Sequence, residues 1–232
     1  MVAEGALEDP KVEAVIGSHM GGPTPGHINI KAGPAMVASA WLDIAVRRPG
    51  EEASIHVQCV GQDTNPLCTA GRIIAAMGQM QTEFRQKPHE SLIGLGFVHG
   101  GIARNTTEGV LIQGIVRTPS NAKREELKEL LPPRILATAG ATACEAETTF
   151  SDGYPALHDD PDLCAQFLRR AAKALPPEAI HAKTERLLAY GAESFAFFAQ
   201  KVPGLYGSSG NCVLAVAPAA SRLPSRSRAL PR

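Results

Sequence analysis

Ala35-Met36-Val37-Ala38-Ser39-Ala40-Trp41-Leu42-Asp43-Ile44-Ala45-Val46-Arg47 is the stretch that decides the fold. Val37, Trp41, Leu42, Ile44 and Val46 are strand formers set among small or polar residues, so the segment predicts a strand. Downstream, Asn65-Pro66 predicts a helix start, with Asn as N-cap and Pro at the first helical position. Leu67, Ala70, Ile74, Met77, Gln81 and Phe84 then recur three or four apart, which predicts one buried helix face. Two further strands are predicted over 91–98 and 108–118, the second with Val110, Ile112, Gly114 and Val116 on one side. Ser120 caps a second helix through Glu125, Leu127 and Leu131. Pro132-Pro133 is expected to interrupt it, because neither proline donates a hydrogen bond and each ring crowds the preceding turn. Residues 134–139 resume that helix, and Gly140 suits its C-terminal cap. A last strand over 142–150 completes the order strand, helix, strand, strand, helix, strand. That is the ferredoxin-like βαββαβ arrangement, an antiparallel sheet with two helices on one face.

The flanks read as something else. Residues 12–19 predict a short strand ending at His19, and 162–175 and 184–201 predict helices. After Glu193 no acidic residue occurs, and residues 211–232, rich in Ser, Pro, Arg and Ala, are expected to be a disordered tail. The fold class is therefore mixed α/β (α+β), with a unit over 35–150 between flanks at 1–34 and 151–210.

Composition narrows the function. Among 232 residues, 23 Lys plus Arg balance 23 Asp plus Glu, which argues against a generally basic nucleic-acid binder. No window approaches the roughly 18 unbroken apolar residues of a membrane span. Five widely spaced cysteines without a C-x-x-C pair fit a reducing, cytoplasmic setting better than a disulfide scaffold or a zinc ribbon. A ferredoxin-like sheet is also the RNA-recognition architecture, and Ile93 to Gly100 matches the small and apolar positions of that signature. It lacks the basic residue and two base-stacking aromatics, so the match is read as core packing. None of the seven histidines forms a close ligand pair such as H-E-x-x-H, and neither a G-x-S-x-G elbow nor a phosphate-cradling glycine loop occurs.

Several segments carry a resemblance. Leu7-Glu8-Asp9-Pro10-Lys11-Val12, Gly17-Ser18-His19, Gly26-His27-Ile28 and Gly33-Pro34-Ala35-Met36 resemble the middle of a hippurate hydrolase. That is the metal-dependent aminoacylase and indole-acetyl-amino-acid amidohydrolase family, of the zinc exopeptidase type. Gly100-Gly101-Ile102-Ala103-Arg104-Asn105 and Gly114-Ile115-Val116-Arg117-Thr118 resemble its G-G-x-A-x-N and G-T-V-R-T segments. Gly191-Ala192-Glu193-Ser194-Phe195 and Val202-Pro203-Gly204-Leu205-Tyr206 resemble its G-x-E-D-F and V-P-G-x-Y segments, all in one order. The resemblance implies a ferredoxin-like lid and dimerisation domain inserted in an α/β catalytic domain. It also implies a divalent metal cofactor, zinc or manganese, and an N-acyl amino acid substrate of the hippurate type. His19 then matches a metal ligand, and Asn105 and Arg117 match lid positions that hold substrate.

The departures point the other way. The family's H-x-C-G-H-D and Glu-Glu segments have no counterpart in this sequence, nor does the histidine expected after the V-P-G segment. The lid's G-G-H-A-S segment reads Gly50-Glu51-Glu52-Ala53-Ser54, so Glu52 stands at the histidine's place and would repel a developing oxyanion. The N-V-I-P-D-x-V segment is one residue short at Asn105 to Val110, which threatens strand register or forces a bulge. A catalytic zinc needs about three protein donors. The expectation is an incomplete catalytic domain, a truncated relative without hydrolase activity of its own. A dimerisation or regulatory module, pairing as a homodimer through the lid, and a broken reading frame stay open beside it.

Overall fold

The protein is described by a computed structural model over residues 1–22, 25–48, 65–86, 90–100, 109–181 and 191–210. The 35–47 stretch divides into β3 (Gly33–Met36) and β4 (Ala38–Arg47). Along β4 the residues Ala40, Leu42, Ile44 and Val46 are buried, while Trp41, Asp43, Ala45 and Arg47 face the other way. β4 is central in a four-stranded antiparallel sheet ordered β5 (Leu92–Gly100), β6 (Val110–Thr118), β4, β7 (Glu145–Asp152). Val110, Ile112 and Val116 share the buried side of β6, as expected. Two 19-residue helices, α1 (Pro66–Phe84) and α2 (Asn121–Ala139), supply the rest of that core through Ile73, Met77, Phe84, Leu127, Leu131 and Ile135.

Both helix starts fold as the sequence predicts. The Asn65 side chain accepts from the Leu67 N–H at 2.8 Å, and that of Ser120 accepts from the Lys123 N–H at 3.2 Å. Three details differ. Leu67 is 52% exposed, and Thr69, Ile73 and Met80 join the buried face of α1, so the apolar stripe is rotated from the one predicted. Pro132 and Pro133 do not interrupt α2. Leu131 and Ile135 are anchored in the core on either side of the prolines. Glu129 and Pro133 are exposed, so water can take the hydrogen bond that Pro133 cannot make. Arg134 ties this turn to α1 through a two-pronged pair with Glu83 (2.7 and 3.1 Å) and lies 5.3 Å over the Phe84 ring. Gly140 does cap α2, but with right-handed rather than left-handed geometry.

β6 is regularly paired from Val110 onward, and the sheet's irregularity falls instead on β5, between Leu95 and Phe97. Gly114 makes this possible, because a Cβ there would lie 2.5 Å from the Gly94 carbonyl oxygen.

The flanks build a second sheet ordered β1 (Val15–Gly22), β10 (Gly204–Gly210), β2 (Ile28–Asn29), β9 (Ile180–His181). A two-stranded ribbon pairs β3 with β8 (Leu157–Asp159). Helix α3 (Pro161–Ala174) is capped by Asp160, whose side chain accepts from the Leu163 N–H at 2.8 Å, and it buries Cys164 beside Ile30 and Leu205. The helix predicted over 184–201 is not continuous: within its described part only α4 (Ala196–Ala199) is helical. Gly191 gives its carbonyl to the Val37 N–H, and Glu193 turns toward the second sheet. The tail expected at 211–232 lies outside the described residues.

Candidate functional site

β1 runs from Val15 through His19 to Gly22, so His19 lies inside the strand and not at its end. It is exposed, and it stands opposite Ser208 of β10 in a parallel pairing. Gly17, two residues before it, faces aromatic rings. A Cβ there would sit 2.7 Å from Tyr206 and 2.9 Å from Phe195. This glycine therefore lets the rings close over β1.

The same rings carry a polar contact. The Tyr206 hydroxyl donates to Glu193 Oε2 at 3.0 Å, and the Ser194 N–H and hydroxyl donate to Glu193 Oε1 at 2.9 and 3.1 Å. Burial raises the Glu193 carboxyl, but the bonds from Tyr206 and Ser194 and the pull of His19 outweigh it and hold the carboxyl below its ordinary value. For Tyr206, burial first and then the bond to Glu193 and its charge push the phenol up to about 12. The Tyr206 backbone N–H is in turn held by the buried Asp159 Oδ1 at 2.8 Å. One carboxylate, one phenol and one imidazole thus converge where β1, β10 and the 191–195 segment meet. Glu193 and Tyr206 belong to segments singled out in the sequence, but their bond could not be read there, since 13 positions separate them and the contact is tertiary.

The other candidates are dispersed. Arg117 sits on β6 opposite Ser39 and Leu92, half-buried on the sheet face away from the helices. Glu52 and Asn105 lie outside the described residues. Among the described residues no group of three or more His, Cys, Asp or Glu side chains could hold a metal ion. His19 has Glu193 in electrostatic reach, but that carboxylate is already engaged by Tyr206 and Ser194. The donors described here do not fit a two-metal centre. No described helix is long and apolar enough to cross a membrane.

Comparison with known proteins defines the class. The profile of Peptidase family M20/M25/M40 matches residues 1–221, and the chain belongs to that family. It is 24% identical over 200 residues to the N-acetylcysteine deacetylase of Bacillus subtilis (strain 168), covering 84% of this chain and 50% of the relative. It is 26% identical over 115 residues to the N-acetyldiaminopimelate deacetylase of Geobacillus sp. (strain WCH70), covering 49% of this chain and 30% of the relative. In fold it is similar to a dinuclear metal-binding M20 peptidase of Bacillus subtilis, with a TM-score of 0.64 and 22% identity over 90% of this chain and 50% of that one. It is also similar to an aminobenzoyl-glutamate utilization protein of Klebsiella pneumoniae, with a TM-score of 0.61 and 20% identity over 91% of this chain and 53% of that one. The chain spans about half the length of the first of these curated relatives.

Proposed function

We propose that this polypeptide is the substrate-holding and dimerising portion of an amidohydrolase acting on N-acyl amino acids, and that it does not hydrolyse the amide by itself. The unit over 35–150 is then the ferredoxin-like lid, inserted between catalytic-domain portions at 1–34 and 151–210. The sheet order β5-β6-β4-β7, with both helices on one face, supports this reading. Arg117 takes the substrate carboxylate through paired N–H donors, Asn105 its amide, and His19 is the retained position of the metal site. Glu52, an anion at the oxyanion-stabilising position, disfavours the transition state.

The observation that carries the reading is the donor set: among the described residues no three metal-capable side chains converge. Activation of water between two divalent ions, which is what zinc or manganese would supply, needs such a cage. The test is release of free amino acid from hippurate and N-acetylcysteine by the purified 232-residue chain, with zinc or manganese added. No release above the metal-only blank is expected. Turnover that a chelator abolishes would overturn the proposal.

A second reading, a dimerisation or regulatory module, is favoured by the β5 edge. Among the described residues β5 pairs with β6 on one side only, and its residues from Phe97 to Gly100 are exposed. Dimerisation is common to both readings, so a strict monomer by light scattering at all concentrations removes the module and the dimerising role together. Saturable binding of hippurate by the chain separates them, since only the first reading expects it.

A further inference from the structure

The sheet face turned away from the helices holds a cavity of about 390 Å³, within the range of roughly 300–1,000 Å³ common to small-ligand sites. Its lining comprises Trp41, Asp43, Phe97, Gln113, Ile115 and Ser151 around Gly94, Gly96 and Gly114. The cavity follows from the register. Trp41 lies opposite Ile115, which lies opposite Gly94; Asp43 lies opposite Gln113, which lies opposite Phe97. Where β5 would carry side chains beside Trp41 it carries Gly94 and, at the bulge, Gly96, so the sheet face is dented between two aromatic walls. Trp41 and Phe97 are 57% and 53% exposed and flank the same dent, and Phe97 is braced by stacking on His99 at 5.9 Å and 13°. The polar end is the Asp43 carboxylate, whose Oδ1 accepts from Gln113 Nε2 at 2.9 Å. The lining contains this acid and, among the described residues, no Lys, Arg or His.

We infer that this cavity is a binding site for a small organic cation, an ammonium group carried on an apolar or aromatic body. Aromatic faces attract a cation through their quadrupole, and a carboxylate adjoining them adds a charge-assisted hydrogen bond that an anionic ligand cannot match. The site is independent of the amide chemistry proposed above, shares none of its residues and stands whether or not that proposal holds.

Trp41 is the sole tryptophan of the chain, so its fluorescence reports on the cavity directly. The probes are 2-phenylethylammonium, 2-phenylethanol and 3-phenylpropionate, titrated into the full chain. The ammonium is expected to change Trp41 emission saturably in the millimolar range or tighter, the alcohol to bind about ten-fold more weakly, and the carboxylate not to bind. Asp43→Asn is expected to erase the preference for the ammonium over the alcohol. Gly96→Val is expected to abolish binding of both while leaving the circular dichroism spectrum intact, because a Cβ at Gly96 meets nothing within 4 Å and the new side chain fills open space. Equal affinity for all three probes, no saturable change with the ammonium, or unchanged binding in the folded Gly96→Val chain would overturn the inference.

Discussion

The two sheets of this molecule are built to different standards. In the sheet β5-β6-β4-β7 the central strand is ten residues long, paired along both edges, and two long helices seal one face over a single continuous core. In the sheet β1-β10-β2-β9 the strands β2 and β9 are two residues each, and the buried clusters around Leu205 and Leu157 each hold three core residues among those described. Its edge strand β1 leaves Ile16 and Met20 62% and 67% exposed. A sheet whose every inward residue meets a helix stabilises itself, because burial of apolar area is the dominant favourable term. The second sheet rests instead on a few anchors: Gly17 under its rings, the Tyr206–Glu193 bond and the Asp160 cap.

Breaking the first sheet should have the largest effect. Phe84→Ala removes a ring that is 1% exposed and carries the Arg134 contact, and it is expected to cost about 3–5 kcal/mol in chemical denaturation. In the second sheet, Gly17→Ala forces a Cβ against Tyr206 and Phe195 and is expected to cost about 1–3 kcal/mol. Hydrogen exchange should locate that loss in β1 and β10 while β4 and β6 keep their protection, and equal loss in both sheets would dissolve the distinction between them.

Tyr206→Phe deletes the donor to Glu193 at an expected cost of about 1 kcal/mol. It also moves the alkaline limit. The folded phenol titrates at about 12 against an ordinary value of 10.0, so its contribution is complete below the lower value and is lost as pH rises to the upper one. One of the chain's three tyrosines should therefore ionise late in an absorbance titration of the wild type, and the variant should lose that late step. The smallest effect is expected at the surface. Removing the exposed Arg47–Glu147 pair (2.7 Å) should change stability by less than about 1 kcal/mol.

The same contrast governs what the sequence revealed. Alternation in β4 and β6 and the caps at Asn65 and Ser120 were readable because they are local and their periodicity matches the element they form. Pro132-Pro133 misled because the anchors of α2, Leu131 and Ile135, are tertiary and override a local breaker. Gln81 at the expected buried face of α1 is likewise explained only in three dimensions, since its side chain accepts from the Ile93 N–H. In the second sheet the short strands have no periodicity to read, and the helix expected through Gly191 is replaced by a turn that sends Glu193 to Tyr206. Arg117 and His19 were singled out only through resemblance to a family, whereas the Trp41 cavity had no signal at all, because it depends on glycines coming into register across strands.

Equilibrium dialysis of the purified chain against zinc, with the bound metal counted per chain, tests the donor set most directly. Less than one tightly held ion per chain is the expected result, and His19→Ala should leave that number unchanged. Two ions per chain, held through dialysis and released on substitution of His19 and Glu193, would contradict it.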